Sequence, residues 1–147
     1  MLNIPSMKAQ NKGVANTCSL EEAKILVVGA GGIGCELLKN LVLSGFQYIE
    51  VVDLDVIELS NLNRQFLFRR QHIGQSKARV AVETVSKLSI HVIILAHWAN
   101  IKDTKLFPFS FFRKFTLVMN ALDNLGMLLH VILSLRWLLF RCASLCK

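Results

Sequence analysis

Glycines in the segment 25–34, ILVVGAGGIG, have the types and the spacing of a phosphate-binding turn. Gly29, Gly31 and Gly34 follow an apolar run at G-x-G-x-x-G spacing, and helical periodicity resumes after them. Glycine lets backbone N–H groups approach a phosphate closely, and the first turn of a helix adds unpaired donors and a partial positive charge. The pattern therefore predicts a strand, a tight turn and a helix start that together hold a nucleotide.

An acidic residue, Asp53, ends the second apolar run of the chain. It follows the glycines by about 20 residues, the distance at which a nucleotide-binding unit places the acid that binds ribose hydroxyls. The glycine spacing alone is not specific, because tight strand-to-helix turns also use glycine for steric reasons. Together the two features favour nucleotide binding, and they fit NAD as well as ATP.

The elements that must position these residues alternate between strand and helix, as in a parallel, doubly wound α/β sheet. The third expected strand is continuous in apolar residues, so we expect it to be buried on both faces. Strands are expected at 24–29, 47–53, 91–97 and 115–121, helices at 33–44 and 75–88, a loop or short helical turn at 60–68, and a Phe-rich segment at 103–114.

Ligands of open α/β sheets bind at the carboxyl ends of the strands, near the point where the strand order reverses. Four separate elements of this chain end in a glycine or a polar residue. We therefore expect one crevice to contain Gly31, Asp53, Asn100 and Asp123.

Charge and length set limits on the function. The chain has 147 residues, which leaves room for one domain. Its formal net charge of +7 is compatible with an anionic partner. The densest basic stretch, around Arg64 and Lys77, contains no nucleic-acid-binding motif, so no nucleic-acid partner is expected. Residues 125–140 are apolar but interrupted by His130 and Arg136. An arginine near the middle of a membrane span costs roughly 2.5–3.5 kcal/mol, so a helix covering the sheet, or a poorly folded end, is expected instead.

The cysteines and the amino terminus indicate a reducing compartment. Residues 1–19 lack the apolar core of a signal peptide and are expected to form a flexible lead-in, with Ser19 capping a short helix. No C-x-x-C pair is present, so no zinc site is expected. Nucleus or cytoplasm is the expected location. Cys35 is expected to be a small buried residue, and a low-pKa nucleophile at the helix start is the alternative.

Five motifs, in the order given below, resemble the ThiF/MoeB-type adenylation domain of the ubiquitin-like modifier-activating (E1) enzyme family. Within that family they most resemble the catalytic subunit of SUMO-activating members. The motifs are GAGGIGCE at 29–36, DLD at 53–55, SNLNRQF at 60–66, GQSKA at 74–78 and NALDN at 120–124. The resemblance implies a Rossmann-like, doubly wound, mostly parallel sheet. It also implies that residues 20–124 form an incomplete ATP-binding adenylation domain and that residues 125–147 form a divergent hydrophobic tail.

The family uses ATP and Mg²⁺ to join the carboxyl terminus of a modifier to the α-phosphate, with release of pyrophosphate. The resemblance implies that Asp53 binds the ribose, that Asn61 and Arg64 contact the polyphosphate, and that Asn100 and Ile101 lie near the adenine. The implied catalytic residues are Arg64, Lys77 and Asp123, with Asp123 as the Mg²⁺ ligand. The full implied nucleotide site contains Gly29, Ala30, Gly31, Gly32, Ile33, Gly34, Asp53, Asn61, Leu62, Asn63, Arg64, Lys77, Asn100, Ile101, Ala121, Leu122, Asp123 and Asn124.

The sequence departs from the family after Asn124, where no zinc-binding cysteine pairs and no catalytic-cysteine domain follow. Thioester transfer is therefore not expected of this chain. The resemblance implies a heterodimer with the other SUMO E1 subunit, and a SUMO-type modifier as the second partner. Two alternatives stay open. One is a non-catalytic fragment that pairs with the other E1 subunit, and the other is an NAD-binding module, which would not require residues 61–66 or Lys77.

Overall fold

The computed structural model describes residues 19–123 together with the helical residues Gly126, Leu129, Val131 and Ile132. Within these residues a parallel sheet of four strands has the order β3-β2-β1-β4. The strands are β1 Lys24–Val28, β2 Tyr48–Val52, β3 Ile93–His97 and β4 Leu117–Asn120, and the α-helices between them are α1 Gly32–Leu43, α2 Lys77–Ser86 and α3 Phe109–Phe112. The expected α/β fold class is confirmed.

Two cores lie on opposite faces of the sheet. On the first face α1 and α2 cover the strands, and side chains such as Val27 and Leu38 are completely buried. On the second face Leu26 and Val28 pack against the Phe-rich segment, including Phe112, and against Val131. Because both faces of β1 are covered, all its residues after Lys24 are buried, which explains its uninterrupted apolar sequence.

The third strand corrects an expectation. β3 was expected to be buried on both faces, but in the sheet formed by the described residues it is an edge strand, and its side chains alternate in exposure. Ile94 and Ala96 pack into the first core beneath α2, whereas Ile93 and Leu95 are 51% and 52% exposed. An apolar run therefore did not distinguish a central strand from an edge strand, because that difference depends on what packs on each side.

Smaller differences concern the ends of elements. The chain at Ser19 forms a single turn instead of a helix, in which the Ser19 hydroxyl accepts from the backbone N–H of Glu22 at 3.3 Å. The expected loop or short helical turn at 60–68 begins with a 3-10 helix, Leu59–Asn63, which agrees with the second of those alternatives, and the Phe-rich segment contains α3. The tail from residue 125, apart from the four helical residues, lies outside the described residues, as do Cys18, Cys142, Cys146 and nearly all of the amino-terminal lead-in.

The strand order reverses between β1 and β4. The chain proceeds from β1 outward to β2 and β3, and then returns to β4 on the other side of β1. The segments that follow β1 and β4 therefore leave in different directions, which opens a crevice at the carboxyl end of the sheet.

Candidate functional site

A cleft of about 430 Å³ occupies that crevice. Its walls come from the segments that follow all four strands, from the 3-10 region and from the start of α2. The lining residues are Val28, Gly29, Gly31, Gly32, Ile33, Val52, Asp53, Leu54, Asp55, Arg64, Gln65, Lys77, Ala99, Asn100, Ile101, Ala121, Leu122 and Asp123. The four residues expected to share one crevice do share it.

The glycine turn forms the floor of the cleft. Gly29 has φ +101°, and a Cβ on it would lie 2.7 Å from the carbonyl oxygen of Ala121. A Cβ on Gly34 would overlap the carbonyl oxygen of Gly29. Gly31 precedes the first turn of α1, and no described side chain caps that turn. The first amides of α1 therefore lack a side-chain partner in the described part of the chain, as an anion site requires.

The carboxylate of Asp53 holds the glycine turn by a hydrogen bond to its backbone. Its Oδ2 accepts a hydrogen bond from the backbone N–H of Ala30 at 2.6 Å, and its Oδ1 accepts one from the N–H of Asp55 at 2.7 Å. Burial raises the pKa of the Asp53 carboxyl above its ordinary value of 3.8, against the lowering effect of those two donors. Each carboxylate oxygen has a second lone pair, so Asp53 can hold the turn and still accept from a ligand hydroxyl.

Lys77 supplies a buried positive charge at the same edge. It is the first residue of α2, is only 7% exposed, and its Nζ lies 2.8 Å from Oδ2 of Asp55. The side chain of Asp55 is 67% exposed, so water competes with Lys77 for that carboxylate. Lys77 is thus a desolvated cation whose ion-pair partner among the described residues is an exposed carboxylate, which an anionic ligand can replace.

The 3-10 region divides into residues that reach the cleft and residues that support it. Arg64 lines the cleft, is exposed, and makes one long contact, 3.4 Å from Nη1 to the carbonyl oxygen of Ser60. Asn61 is buried, and its Oδ1 accepts from the N–H of Glu58 at 2.9 Å, which stabilises the start of the 3-10 helix. Neither Asn61 nor Leu62 nor Asn63 lines the cleft.

The remaining implied residues form an apolar wall and its polar edge. Ile101 is 3% exposed, and Oδ1 of Asn100 accepts from the N–H of Lys102 at 3.0 Å. Asp123 lies exposed just after β4. Ala30 and Gly34 build the turn without lining the cleft, and Asn124 lies outside the described residues.

Sequence reasoning missed several lining residues. Val28, Val52 and Ala99 are backbone neighbours of expected site residues, and the strand ends themselves could have indicated them. Asp55 was noted in the sequence but given no role. Gln65 follows Arg64 directly, and no pattern in the sequence distinguished it from the apolar residues after it.

Cys35 is a packing residue. It is completely buried at the start of α1, and its Sγ donates weakly to the carbonyl oxygen of Ala30 at 3.6 Å. Burial raises the pKa of the thiol to about 11, which outweighs any lowering by the helix start. The expected small buried residue is confirmed, and the alternative of a reactive nucleophile is wrong.

Residues 19–123 and the four helical residues contain neither a metal-ligand cluster nor a helix suited to a membrane. No group of three or more His, Cys, Asp and Glu side chains is placed to hold a metal ion there. No helix in that part of the chain is both long and apolar enough to cross a membrane.

The sequence of this chain is similar to those of two E1 enzyme subunits. SUMO-activating enzyme subunit 2 of Dictyostelium discoideum is 57% identical over 122 residues, which is 83% of this chain and 18% of that protein. The NEDD8-activating enzyme E1 catalytic subunit of Caenorhabditis elegans is 46% identical over 130 residues, 84% of this chain and 30% of that protein. The chain thus spans less than a third of either relative.

A solved structure and a family match agree with these relatives. E. coli MccB with ATP superposes with a TM-score of 0.55 at 34% identity, over 58% of this chain and 26% of that one. Residues 5–144 match the ThiF family, which is almost the whole chain. This protein therefore belongs to the ThiF family.

Proposed function

We propose that this chain carries a Mg-ATP site for adenylation of the carboxyl terminus of a SUMO-type modifier. The observation that carries the proposal is the buried Lys77, held at the edge of a cleft whose floor is a glycine turn with uncapped helix amides. A dinucleotide site does not need a desolvated lysine, whereas a triphosphate, with more negative charge, gains from one. The MccB structure that resembles this chain was solved with ATP, which supports the same nucleotide.

Different groups of residues contact the phosphates and the ribose of the nucleotide. The amides of the glycine turn and the cations of Arg64 and Lys77 face the phosphates, and Asp53 accepts from the ribose hydroxyls. In the reaction a carboxylate oxygen of the modifier bonds to the α-phosphorus. The bond from that phosphorus to the oxygen bridging to the β-phosphate breaks, and its electrons leave with pyrophosphate. The two cations stabilise the negative charge that moves during this step.

Asp123 would hold Mg²⁺. Its exposed carboxylate lines the cleft beside the turn. Magnesium is commonly bound through one or two carboxylates together with substrate phosphates and water, so this donor fits the ion without a larger protein cluster. When bound, the ion neutralises part of the charge of the triphosphate.

Thioester formation lies beyond this proposal. Cys35, the cysteine within the described residues, is buried with a raised pKa, so it does not supply the thiolate that attacks an acyl-adenylate. We propose that the described part of the chain carries the adenylation step without the thioester step, in the nucleus or the cytoplasm. The similarity to SUMO-activating enzyme subunit 2 supports the other SUMO E1 subunit and SUMO as its partners.

A non-catalytic fragment that pairs with the other E1 subunit is the second candidate function. Within the described residues β3 and β4 are edge strands, and they expose Ile93, Leu95 and Leu117, the last by 46%. Unpaired edges with apolar side chains favour association. Copurification with the other subunit would accompany either function. Modifier-dependent exchange of pyrophosphate into ATP by that complex would accompany only the first.

The proposal is tested by calorimetry on the full chain, with Mg-ATP and NAD as ligands. We expect tighter binding of Mg-ATP, and Lys77→Met should weaken it at least about tenfold, since a hydrogen bond to a charged group is lost. The matched control is Lys87→Met, because Lys87 pairs with Glu83 at 3.3 Å on the surface and does not line the cleft. Equal affinity for NAD, or an unchanged Lys77→Met variant, would show that the assignment is wrong.

A further inference from the structure

Trp98 is an exposed aromatic residue that lies just outside the nucleotide cleft. It directly follows β3 and is 51% exposed, although tryptophan is usually well buried. It belongs to neither of the two cores that the described residues form, and it does not line the cleft. Its indole N–H nevertheless has a specific partner, since Nε1 donates to the carbonyl oxygen of Leu54 at 2.8 Å. This hydrogen bond, and not core packing, is what the side chain contributes.

The carbonyl that Trp98 contacts belongs to the same peptide unit that orients the carboxylate of Asp53. The peptide bond between Leu54 and Asp55 places the Leu54 carbonyl and the Asp55 N–H in one rigid plane. The N–H of that plane donates to Oδ1 of Asp53 at 2.7 Å. Because the plane turns as a unit, the hydrogen bond from Trp98 also fixes the direction in which the N–H points. Hydrogen bonds in series polarise one another, so the contact strengthens that donor as well.

The backbone keeps Trp98 beside this peptide unit. The carbonyl oxygen of His97, the preceding residue, accepts from the backbone N–H of Asp53 at 3.1 Å, so the ends of β2 and β3 stay joined at this level. Asp53 and Leu54 line the cleft, whereas Trp98 contacts their segment without lining it. Groups that hydrogen-bond to a ligand-binding segment from behind fix its orientation before the ligand arrives. Trp98 has the position and the donor for that task.

We propose that Trp98 is a positioning residue for the ribose of the nucleotide. Its indole N–H, acting through the peptide unit between Leu54 and Asp55, holds the Asp53 carboxylate in the orientation that accepts from the ribose hydroxyls. This inference rests on the proposed function, which assigns the ribose to Asp53. The effect of Trp98 is therefore specific to the ribose hydroxyls, and the glycine turn binds phosphate without it.

A comparison of two nucleotides separates positioning from a general structural role. Trp98→Phe keeps an aromatic ring and removes the N–H, and calorimetry on the full chain measures Mg-ATP and its dideoxy analogue, which lacks both ribose hydroxyls. Trp98→Phe should weaken Mg-ATP about fivefold and leave the analogue within about twofold of its wild-type affinity. The wild type should bind the analogue more weakly than Mg-ATP.

Arg79→Met is the matched control for this comparison. The guanidinium carbon of Arg79, in α2, lies 5.7 Å from the centroid of the Trp98 ring, and Arg79 does not line the cleft. Its replacement removes the cation beside the ring and leaves the indole N–H in place. The ratio of the two nucleotide affinities should therefore stay within about twofold of the wild-type ratio. A ratio that changes as much as in Trp98→Phe would assign the effect to the ring contact and overturn the role of the N–H.

The outcomes distinguish this inference from the function on which it rests. A wild-type chain that fails to bind Mg-ATP overturns both. A wild-type chain that binds Mg-ATP and its dideoxy analogue equally removes the ribose from Asp53 and overturns this inference, while the ATP site stands. Equal losses for both nucleotides in Trp98→Phe, or no loss for either, overturn the role of Trp98 alone. If Trp98→Phe fails to fold, Trp98 is a structural residue, and Trp98→Leu, with the same expected result, gives an independent measurement.

Discussion

Glycines lie in turns at both ends of the sheet, yet their surroundings differ. At the amino end Gly45 has φ +93° after α1, and nothing lies within 4 Å of the Cβ it lacks. At the carboxyl end Gly29 has a similar φ of +101°, but its missing Cβ would meet the backbone of Ala121. Gly45 therefore only ends a helix, whereas Gly29 brings two backbone segments together and so shapes the floor of the cleft.

Polar groups in two parts of the molecule also differ, in how completely they are paired. On the second face of the sheet Glu50 lies 2.7 Å from Nε2 of His97 and 2.7 Å from Nζ of Lys114, so both of its carboxylate oxygens have partners. In the cleft Gln65 has an unpaired oxygen, and the buried Lys77 has an exposed partner. The fully paired cluster stabilises the fold by itself. The incompletely paired groups stabilise it less. Among them Lys77, which lines the cleft, can exchange its exposed partner for a ligand.

The largest expected effect comes from replacing one glycine at each end of the sheet by alanine. Gly34→Ala should lower the free energy of unfolding by at least about 3 kcal/mol, because the new Cβ overlaps the carbonyl oxygen of Gly29. Helix propensity alone predicts the opposite sign, a gain of about 1 kcal/mol. Gly45→Ala should cost only about 1–2 kcal/mol, the strain of a left-handed backbone in open space. Urea unfolding measures both, and equal costs would remove the distinction between the two ends.

A smaller effect concerns the pH dependence of Asp53. The folded pKa is raised, so the protonated carboxyl is favoured in the folded state. Its contribution to stability is therefore complete below the ordinary value of 3.8 and is lost as the pH rises through the folded pKa. Relative to Asp53→Asn, the wild type should lose unfolding free energy as the pH rises above the ordinary pKa of 3.8. Urea titrations at several pH values measure this difference, and a constant or rising difference would contradict the assignment.

The smallest effect is the absence of a reaction at Cys35. With a pKa of about 11, almost none of this thiol is ionised at about pH 8, and it is also buried. Iodoacetamide should therefore leave the Cys35 peptide unlabelled in the folded chain and label it after denaturation, as mass spectrometry would record. Labelling of the folded chain at the rate of the denatured chain would restore the nucleophile alternative.

Much of the cleft at the carboxyl end of the sheet was predictable from the sequence, because the residues that form its floor are close together in the chain. The glycine spacing from Gly29 to Gly34 and the acid at Asp53 belong to one strand-helix-strand unit, and the structure places Gly29, Gly31 and Asp53 in one cleft. The edge position of β3 was not predictable, since an apolar run is compatible with several sheet positions. The boundary between a domain of residues 20–124 and a tail stays a prediction.

The sequence by itself determined the order of strands and helices, the turn at Gly29–Gly34 and the convergence of strand ends on one crevice, because these follow from periodicity and from the geometry of parallel sheets. Only the tertiary structure decided which polar groups remain available. The pairing of Lys77 with Asp55 joins residues 22 positions apart, and the unpaired amide oxygen of Gln65 depends on what surrounds it. Hydrogen-bond satisfaction and burial belong to the whole packed molecule, so residue type and spacing do not determine them.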